Sequence, residues 1–310
     1  MKKIFLKQIA VLVPFALILW TSDHLEKILG PPRKRGIDCL DSSIKQPFVA
    51  DTIHWKTLYV IGLYFPLIFI STHEILHTLL AKRRGFQGLK DYLVNVYLSG
   101  MPFFCGFASE RFLKNLLKFT VSRLRPHAYT LCQPVTVGGL TCNQLPAEAA
   151  YMSEYSCSEE LKSTSIYKSF PSGHSSLAFY GMIYVALYLQ RCKRNIAGNQ
   201  GFVATIYRPL VILMQLSGVS VAAMVAICRV FDFKHFWSDI AAGALLGTLV
   251  ALAFSYYAEE NQREVTRVLQ KKSEKVRDHN IAGKLEQSTD IGMTVTKNAC
   301  SIDINDAVDV

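Results

Sequence analysis

The sequence predicts an all-α membrane protein, a polytopic bundle of six transmembrane helices. Of its 310 residues, 50% are hydrophobic and the mean hydropathy is +0.21, which is too apolar for an average soluble domain. Apolar runs close to the bilayer-crossing length of about 20 residues recur along the chain. These predicted spans lie at roughly 5–25, 57–78, 92–112, 174–191, 209–228 and 237–257.

The first and third predicted spans carry the weakest apolar signal. Lys7 and Pro14 interrupt the first, and the third runs into Glu110 and Arg111. No small-x-small cleavage site follows Trp20, so the N-terminal run is interpreted as an uncleaved span rather than a signal peptide.

The spans divide the chain into one membrane domain and a tail. The domain covers residues 1–257 and the polar, cytoplasmic tail covers 258–310, where the sixth helix is expected to continue before it frays. A Gly30-Pro31-Pro32 sequence, which stops a helix, opens the first outer loop. The outer loops are expected at about 28–56, 113–171 and 229–236.

The distribution of basic residues predicts the orientation in the membrane. Lys82 to Arg84 follow the second span and Arg191 to Arg194 follow the fourth, so the positive-inside rule places these loops and both termini in the cytoplasm. Arg33-Lys34-Arg35 falls on the other side and argues against this orientation. The net charge of +10 forms no aromatic-interleaved patch, so no nucleic-acid partner is expected. The choice between plasma membrane and endomembrane (ER/Golgi) stays open, as does homo-oligomerisation.

Four of the eight cysteines fall in the two long outer loops. An extracellular or lumenal location permits disulfides, and four cysteines allow three pairings that the sequence does not separate. The four residues are Cys39, Cys132, Cys142 and Cys157.

The first polar cluster is Lys118-X6-Arg125-Pro126. If the third helix continues past the membrane interface, Lys118 and Arg125 are seven residues apart and share one helix face. A lysine supplies a point charge and an arginine a planar fork, and both suit phosphate oxygens. Snorkelling of interfacial cations to lipid headgroups is the simpler reading of this cluster taken alone.

The second cluster, Pro171-Ser172-Gly173-His174, opens the fourth span. Serine is a good N-cap, glycine allows close approach of an anion, and helix N-termini bind phosphate. His174 is placed to donate a proton to a leaving oxygen.

The third cluster, Arg229-X5-His235-X3-Asp239, joins the fifth and sixth spans. His235 and Asp239 are one helical turn apart, so their side chains are expected to meet. A carboxylate on one ring nitrogen raises the basicity of the other, as a nucleophilic histidine requires. In the six-span topology all three clusters lie on the same outer face.

The three clusters resemble the motifs of the type 2 phosphatidic acid phosphatase (PAP2) superfamily, and more closely those of integral-membrane lipid phosphate phosphatases. The narrower resemblance rests on Arg123-Leu124-Arg125-Pro126-His127, on Ser172 to Ser176, and on Lys234 to Asp239. Segments of the first outer loop between Arg35 and Thr52 are also similar to that subfamily. The resemblance covers about residues 1–257, and it departs at Cys228, where the family usually has serine.

The resemblance implies a hydrolase for lipid phosphates, with a site on the extracellular or lumenal side and no cofactor or metal. His235 would attack phosphorus to form a phosphohistidine, with Asp239 orienting it. His174 would protonate the leaving alkoxide and then activate water. The phosphate oxygens would be held by Lys118, Arg125, Ser172, Gly173 and Arg229. Phosphatidate, lysophosphatidate, sphingosine 1-phosphate and ceramide 1-phosphate stay open as substrates.

The alternative function is an intramembrane zinc metalloprotease, because His73-Glu74-Ile75-Leu76-His77 is a formal H-E-x-x-H motif inside the second span. His73 and His77 share a face and Glu74 would be the general base. Such a site needs a third ligand, and Asp239 is the only obvious acidic residue in another span. A non-catalytic lipid-binding or scaffold protein is the third reading, against which the intact polar clusters argue.

Overall fold

The computed structural model describes residues 2–80, 85–157, 163–196 and 202–284. Within them the chain forms nine α-helices, α1 to α9, with a π-helical turn at Val60–Tyr64 between α3 and α4. The basic residues expected at 82–84 and the end of the tail, 285–310, lie outside the described residues. The helices are Lys2–Asp23, Leu25–Leu29, Trp55–Tyr59, Phe65–Leu80, Gly85–Val121, Ala128–Cys132, Gly173–Ile196, Phe202–Phe231 and Trp237–Lys284.

The long helices coincide with the predicted spans. In the described part of the chain three helical stretches are long and apolar enough to cross a membrane: Trp55–Leu79, Thr205–Phe231 and Trp237–Val268. A shorter apolar stretch, Val11–Asp23, lies in α1. The predicted helical membrane protein is therefore confirmed, while the count of six transmembrane helices stays a prediction.

Two helices continue beyond the predicted spans. The third span was expected to end at 112, but α5 continues to Val121, so Lys118 lies in its last turn. The sixth span was predicted at 237–257 with its helix continuing into the tail, and α9 does continue, to Lys284, through a mixed-charge sequence. Charged and polar residues enter both extensions, Lys114, Asn115 and Lys118 in that of α5, so an apolar run marks where the apolar part of a helix stops and not where the helix stops.

The connecting segments contain two short antiparallel strand pairs beside the helices. Strand β1 (Ile37–Asp38) pairs with β3 (Tyr151–Met152), and β2 (Pro134–Val135) pairs with β4 (Ser156–Cys157). Strands of two residues carry too little hydrophobic alternation to be recognised in a sequence.

Two disulfides link these connecting segments. Cys39 pairs with Cys142 and Cys132 with Cys157, which selects one of the three pairings that the sequence left open. Around them is a cluster of buried side chains, here called the loop core, that includes Ile37, Ile44, Met152, Tyr155, Ile166 and Tyr167. Because α6 belongs to this core, the segment that follows the first polar cluster is held in place.

The chain divides into two compact units. The first comprises the described residues of Met1–Tyr64, Cys105–Met182 and Val219–Ala251, and the second those of Phe65–Phe104, Ile183–Gly218 and Leu252–Val310. All three polar clusters belong to the first unit.

Glycines bring helices of the first unit into close contact. A Cβ on Gly243 of α9 would lie 2.5 Å from the carbonyl oxygen of Ser172, and one on Gly247 would overlap the carbonyl oxygen of Ser176. Small residues let membrane helices approach closely enough for van der Waals packing. This contact sets the start of α9 directly against the start of α7.

Candidate active site

A cavity of about 290 Å³ in the first unit brings the three polar clusters together. Its wall combines predicted site residues with side chains to which the sequence analysis gave no role. The lining residues are Phe48, Asp51, Lys118, Arg125, His127, Leu131, Ser165, Gly173, His174, Arg229, Lys234 and His235. Of the predicted site residues, Ser172 and Asp239 do not line the cavity but are fully buried, and the backbone N–H of Ser172 donates to the carbonyl oxygen of Asp239 at 2.9 Å.

The first cluster reaches the cavity from the end of α5. Ser122 has a left-handed φ of 45°, which ends the helix and turns the chain toward Arg125. Lys118 Nζ donates to the carbonyl oxygen of Lys168 at 2.7 Å. Burial and the neighbouring Arg125 lower the pKa of Lys118, and burial and Arg229 lower the pKa of Arg125 to about 10. Placing cations this close together favours an anion in the cavity.

The second cluster forms the N-terminus of α7. The Ser172 hydroxyl accepts a hydrogen bond from the backbone N–H of Ser175 at 3.4 Å, in the manner of an N-cap. A Cβ on Gly173 would lie 3.2 Å from Cδ of Lys114, so a larger residue there would crowd the cavity wall. His174 Nε2 donates to the carbonyl oxygen of Ile53 at 3.0 Å, so Nδ1 is the ring nitrogen available for proton transfer.

The third cluster places His235 against Asp239. His235 Nδ1 lies 3.7 Å from Asp239 Oδ2, an ion-pair distance that is too long for a hydrogen bond. Among the described residues His235 Nδ1 has no hydrogen-bond partner. Burial holds the pKa of His235 well below its usual value, with Arg125 and Lys118 adding to the effect and Asp239 opposing it. The imidazole is therefore neutral at physiological pH, as a nucleophile requires.

Asp239 is fixed by three donors, two of which sequence reasoning missed as site residues. Ser169 Oγ donates to Oδ2 at 2.6 Å and Arg123 Nη1 to Oδ1 at 2.7 Å, while the backbone N–H of Phe236 donates to Oδ2 at 3.0 Å. Arg123 also lies over the ring of Phe236, 4.2 Å from its centroid. In the sequence, the only indication of a role for Arg123 was its place in the segment Arg123 to His127, which resembles the family.

Arg229 is held by two carboxylates that the sequence analysis did not assign to the site. Its Nη2 donates to Asp51 Oδ1 at 2.9 Å and its Nη1 to Asp232 Oδ2 at 3.2 Å. Asp232 in turn accepts from the backbone N–H of Thr52 at 3.0 Å and from the Thr52 hydroxyl. These bonds tie the segment between α2 and α3 to the end of α8.

Lys234 adds a fourth cation to the cavity; it lies in a segment that resembles the family, but the sequence analysis gave it no role. Its Nζ lies 3.7 Å from the ring centroid of Phe48 and 3.8 Å from Asp51 Oδ1. Burial lowers its pKa, and Asp51 opposes that shift. His127 Nδ1 donates to the carbonyl oxygen of Phe233 at 2.7 Å, which anchors the loop carrying Lys234.

The H-E-x-x-H motif belongs to the second unit, where His73 and Glu74 contact tyrosine hydroxyls. The Tyr188 hydroxyl donates to Glu74 Oε1 at 2.7 Å and lies 2.9 Å from His73 Nδ1. His73 Nε2 lies 3.2 Å from the Tyr207 hydroxyl. Within the described residues no group of three or more His, Cys, Asp or Glu side chains is arranged to hold a metal ion. In the described structure His73 and Glu74 of the motif are thus hydrogen-bonded to tyrosines.

The family comparison agrees with this geometry. The model of the PAP2 superfamily matches residues 99–263, a stretch that contains all eight predicted site residues. The chain belongs to the PAP2 superfamily. None of the solved structures compared with it matches.

Curated relatives of the chain carry phosphatase names. It is 32% identical over 249 residues to a putative phosphatidate phosphatase of Drosophila melanogaster, covering 75% of this chain and 63% of that relative. It is 31% identical over 267 residues to phospholipid phosphatase 1 of Mus musculus, covering 84% and 85% of the two chains. It is 30% identical over 242 residues to phospholipid phosphatase 2 of Homo sapiens, covering 77% and 75%. The predicted family and the predicted enzyme class, a hydrolase, are thereby confirmed.

Proposed function

We propose that this PAP2 protein hydrolyses the phosphomonoester of membrane lipids such as phosphatidate, lysophosphatidate, sphingosine 1-phosphate or ceramide 1-phosphate. The observation that carries the proposal is the convergence of Lys118, Arg125, His174, Arg229 and His235 on one cavity. Relatives named phosphatidate phosphatase and phospholipid phosphatase support a lipid substrate.

His235 is the proposed nucleophile. Its Nδ1 faces Asp239, so Nε2 attacks phosphorus while the P–O bond to the lipid breaks. Asp239 stabilises the imidazolium character that develops on the ring as the N–P bond forms. With a proton supplied to the leaving oxygen, the products of this step are a phosphohistidine and the lipid alcohol.

His174 is the proposed acid and base. Because its Nε2 donates to the carbonyl oxygen of Ile53, His174 takes up a second proton at Nδ1 with the arriving phosphomonoester. In the first step it passes that proton to the departing lipid oxygen, and the dephosphorylated lipid stays in the membrane. In the second step it accepts a proton from the water that attacks the phosphohistidine, which releases inorganic phosphate and restores His235. Covalent capture thus divides a difficult hydrolysis into two easier displacements.

The phosphate is held by cations and helix N–H groups without a metal. Lys118, Arg125, Arg229 and Lys234 line the cavity, and α7 begins at Gly173 beside them. Preorganised donors of this kind stabilise charge on a phosphoryl group in transfer, which in other phosphotransfer enzymes is the role of Mg²⁺. Ser172 supports the arrangement from behind as the N-cap of α7.

We place the cavity on the extracellular or lumenal side of a six-span protein, with both termini in the cytoplasm. The two disulfides support this side, since disulfides persist in oxidising compartments, and both lie in segments that reach the cavity. An epitope inserted at the exposed Gly138–Gly139 turn should be accessible to antibody on intact cells or sealed lumen-out vesicles. Accessibility only after permeabilisation from the cytoplasmic side would contradict the orientation.

The test of the function is phosphate release from phosphatidate in detergent micelles with excess EDTA. The wild type should remain active, and His235→Ala should reduce the rate by at least about 10⁴-fold, the usual cost of losing a covalent nucleophile. His54→Ala is a matched control, because His54 is exposed at the start of α3 and does not line the cavity. Equal phosphate release by the wild type and His235→Ala would rule out the nucleophile, and loss of wild-type activity in EDTA would rule out metal independence.

A further inference from the structure

Among the described residues, Asp51 is the one carboxylate that lines the cavity of cations. Its Oδ1 accepts a hydrogen bond from Arg229 Nη2 at 2.9 Å and lies 3.8 Å from Lys234 Nζ. Burial raises the pKa of Asp51, but the hydrogen bond and charge of Arg229 outweigh it, so the pKa lies below its usual value. Asp51 is therefore ionised at the cations that would hold a substrate phosphate.

Asp51 and Asp232 hold Arg229 in different ways. The Asp232 side chain is 4% exposed and is fixed by Thr52, whereas the Asp51 side chain is 35% exposed and faces the cavity. The guanidinium is 3% exposed and is already oriented by its bond to Asp232. Asp232 thus holds Arg229 from the buried side, while Asp51 contacts it from the side that is open to the cavity and to solvent.

A phosphate bound in the cavity would meet the charge of Asp51. Two like charges a few ångströms apart repel each other, and water screens that repulsion only in part at a partly exposed site. The guanidinium edge that binds Asp51 is also suited to phosphate oxygens. Carboxylate and phosphate therefore compete for Arg229 and Lys234.

We propose that Asp51 is a displaceable counter-ion of the phosphate site, which yields Arg229 and Lys234 to the substrate phosphate and returns to them as inorganic phosphate leaves. The proposal rests on the proposed function of this cavity. Without a returning anion, four cations would bind the released phosphate tightly, and product release limits turnover in many enzymes. Asp51 weakens the binding of the ground-state phosphate. If it leaves the binding of the transition state unchanged, the barrier between the two states falls and turnover rises.

The test is the affinity for inorganic phosphate, measured on the full-length protein in detergent by ³¹P NMR titration. Asp51→Asn removes the charge and should tighten phosphate binding by about fivefold, the scale of one partly exposed charge contact. A residue that merely positioned Arg229 would give the opposite sign, because its loss would weaken phosphate binding. Unchanged or weaker binding in Asp51→Asn therefore overturns the proposal.

A matched control tests whether any lost charge in this segment changes phosphate affinity, and a second variant tests whether the effect is special to asparagine. Asp41→Asn removes one charge from the same connecting segment, keeps a side chain that can accept the hydrogen bond from Ser43 N–H, and lies outside the cavity lining. It should leave the phosphate affinity within about twofold. Asp51→Ser, a smaller neutral residue, should tighten binding as Asp51→Asn does, and thermal unfolding in detergent shows that each variant is folded.

A double-mutant cycle assigns the effect to Arg229. If Asp51 competes for that guanidinium, the tightening caused by Asp51→Asn shrinks in an Arg229→Gln background. Tightening of equal size in both backgrounds overturns the role of Arg229 in the exchange.

Binding and hydrolysis are read separately, so the two proposals can fail separately. A wild type that binds phosphate but releases none from phosphatidate contradicts the proposed function, while the sign of the Asp51→Asn effect still decides the counter-ion. A wild type that binds no phosphate overturns the counter-ion proposal.

Discussion

The Nδ1 atom of His235 lies 3.7 Å from Oδ2 of Asp239, while the same carboxylate accepts hydrogen bonds from Ser169 and Arg123 at 2.6 and 2.7 Å. The carboxylate is thus fixed by its neighbours, and the histidine needs to move by less than 1 Å to reach hydrogen-bond distance of about 2.8 Å. The carboxylate therefore stabilises the His235 ring mainly in the transition state, when positive charge develops on the imidazole.

Asp239→Asn should therefore lower kcat by about 10²–10⁴-fold while KM changes little, because the lost interaction forms mainly in the transition state. Steady-state kinetics on phosphatidate micelles measure both parameters. Asp38→Asn, at an exposed position in β1, is the control and should behave as wild type. Activity of Asp239→Asn within about threefold of wild type would show that Asp239 is structural.

Gly243→Ala should lower both stability and activity. The added methyl would meet the carbonyl oxygen of Ser172 at 2.5 Å, so α9 must move away from α7 at a cost of about 1–3 kcal/mol. Thermal unfolding in detergent and the rate of phosphate release measure the two effects. Gly100→Ala is the matched control, since nothing lies within 4 Å of the added methyl, and it should leave stability unchanged or raised. Equal behaviour of the two variants would contradict close packing of α7 on α9.

Replacing both Cys132 and Cys157 with serine should destabilise the protein by roughly 2–4 kcal/mol, the usual value for a disulfide that closes a loop of this size. The rate should fall as well, because α6 ends at Cys132 and begins just after the Arg125 segment. Thermal unfolding with and without reductant measures the stability change.

Cys228→Ser is the control for that double variant. Cys228 forms no disulfide in the described structure, so its replacement should leave stability and activity close to wild type. If reductant lowers the unfolding temperature of the double variant as much as that of the wild type, the Cys132–Cys157 disulfide does not contribute to stability.

Acid should destabilise the protein partly through His127. Burial lowers its pKa to about 4, against 6.5 for an unperturbed histidine. Between these values the unfolded chain takes up a proton that the folded protein does not, so stability is full above pH 6.5 and is lost as pH falls toward 4. From pH 7.5 to 5 the unfolding temperature of His127→Gln, whose amide can still donate to Phe233, should fall less than that of the wild type. His54→Gln is the control, and an equal fall in all three proteins would contradict the assignment.

The sequence predicted the helices and the convergence of the clusters well, because both follow from local patterns. Apolar runs of bilayer length mark α4, α8 and α9, and the spacing of His235 and Asp239 places them on one helical turn. The six-span topology predicted that all three clusters lie on one membrane face. In the structure these clusters meet at one cavity.

The residues that escaped prediction act through contacts distant in sequence. Asp51 reaches Arg229 across 178 residues and Arg123 reaches Asp239 across 116, and no periodicity encodes such pairs. The choice among the three disulfide pairings is of the same kind, since it depends on how the loop core folds. Asp51 and Lys234 did lie within the segments that resemble the family, but their types alone gave them no role.

The most direct test of the account is to trap the covalent intermediate. Phosphatidate labelled with ³²P at its phosphate is mixed with protein in EDTA and quenched in base, under which phosphohistidine survives. The wild type should carry alkali-stable, acid-labile label, and His235→Ala should carry none. In His174→Ala the label should form more slowly and disappear more slowly than in the wild type, because His174 serves both steps. Label on His235→Ala at the level of the wild type would show that another group attacks phosphorus and would contradict the proposed mechanism.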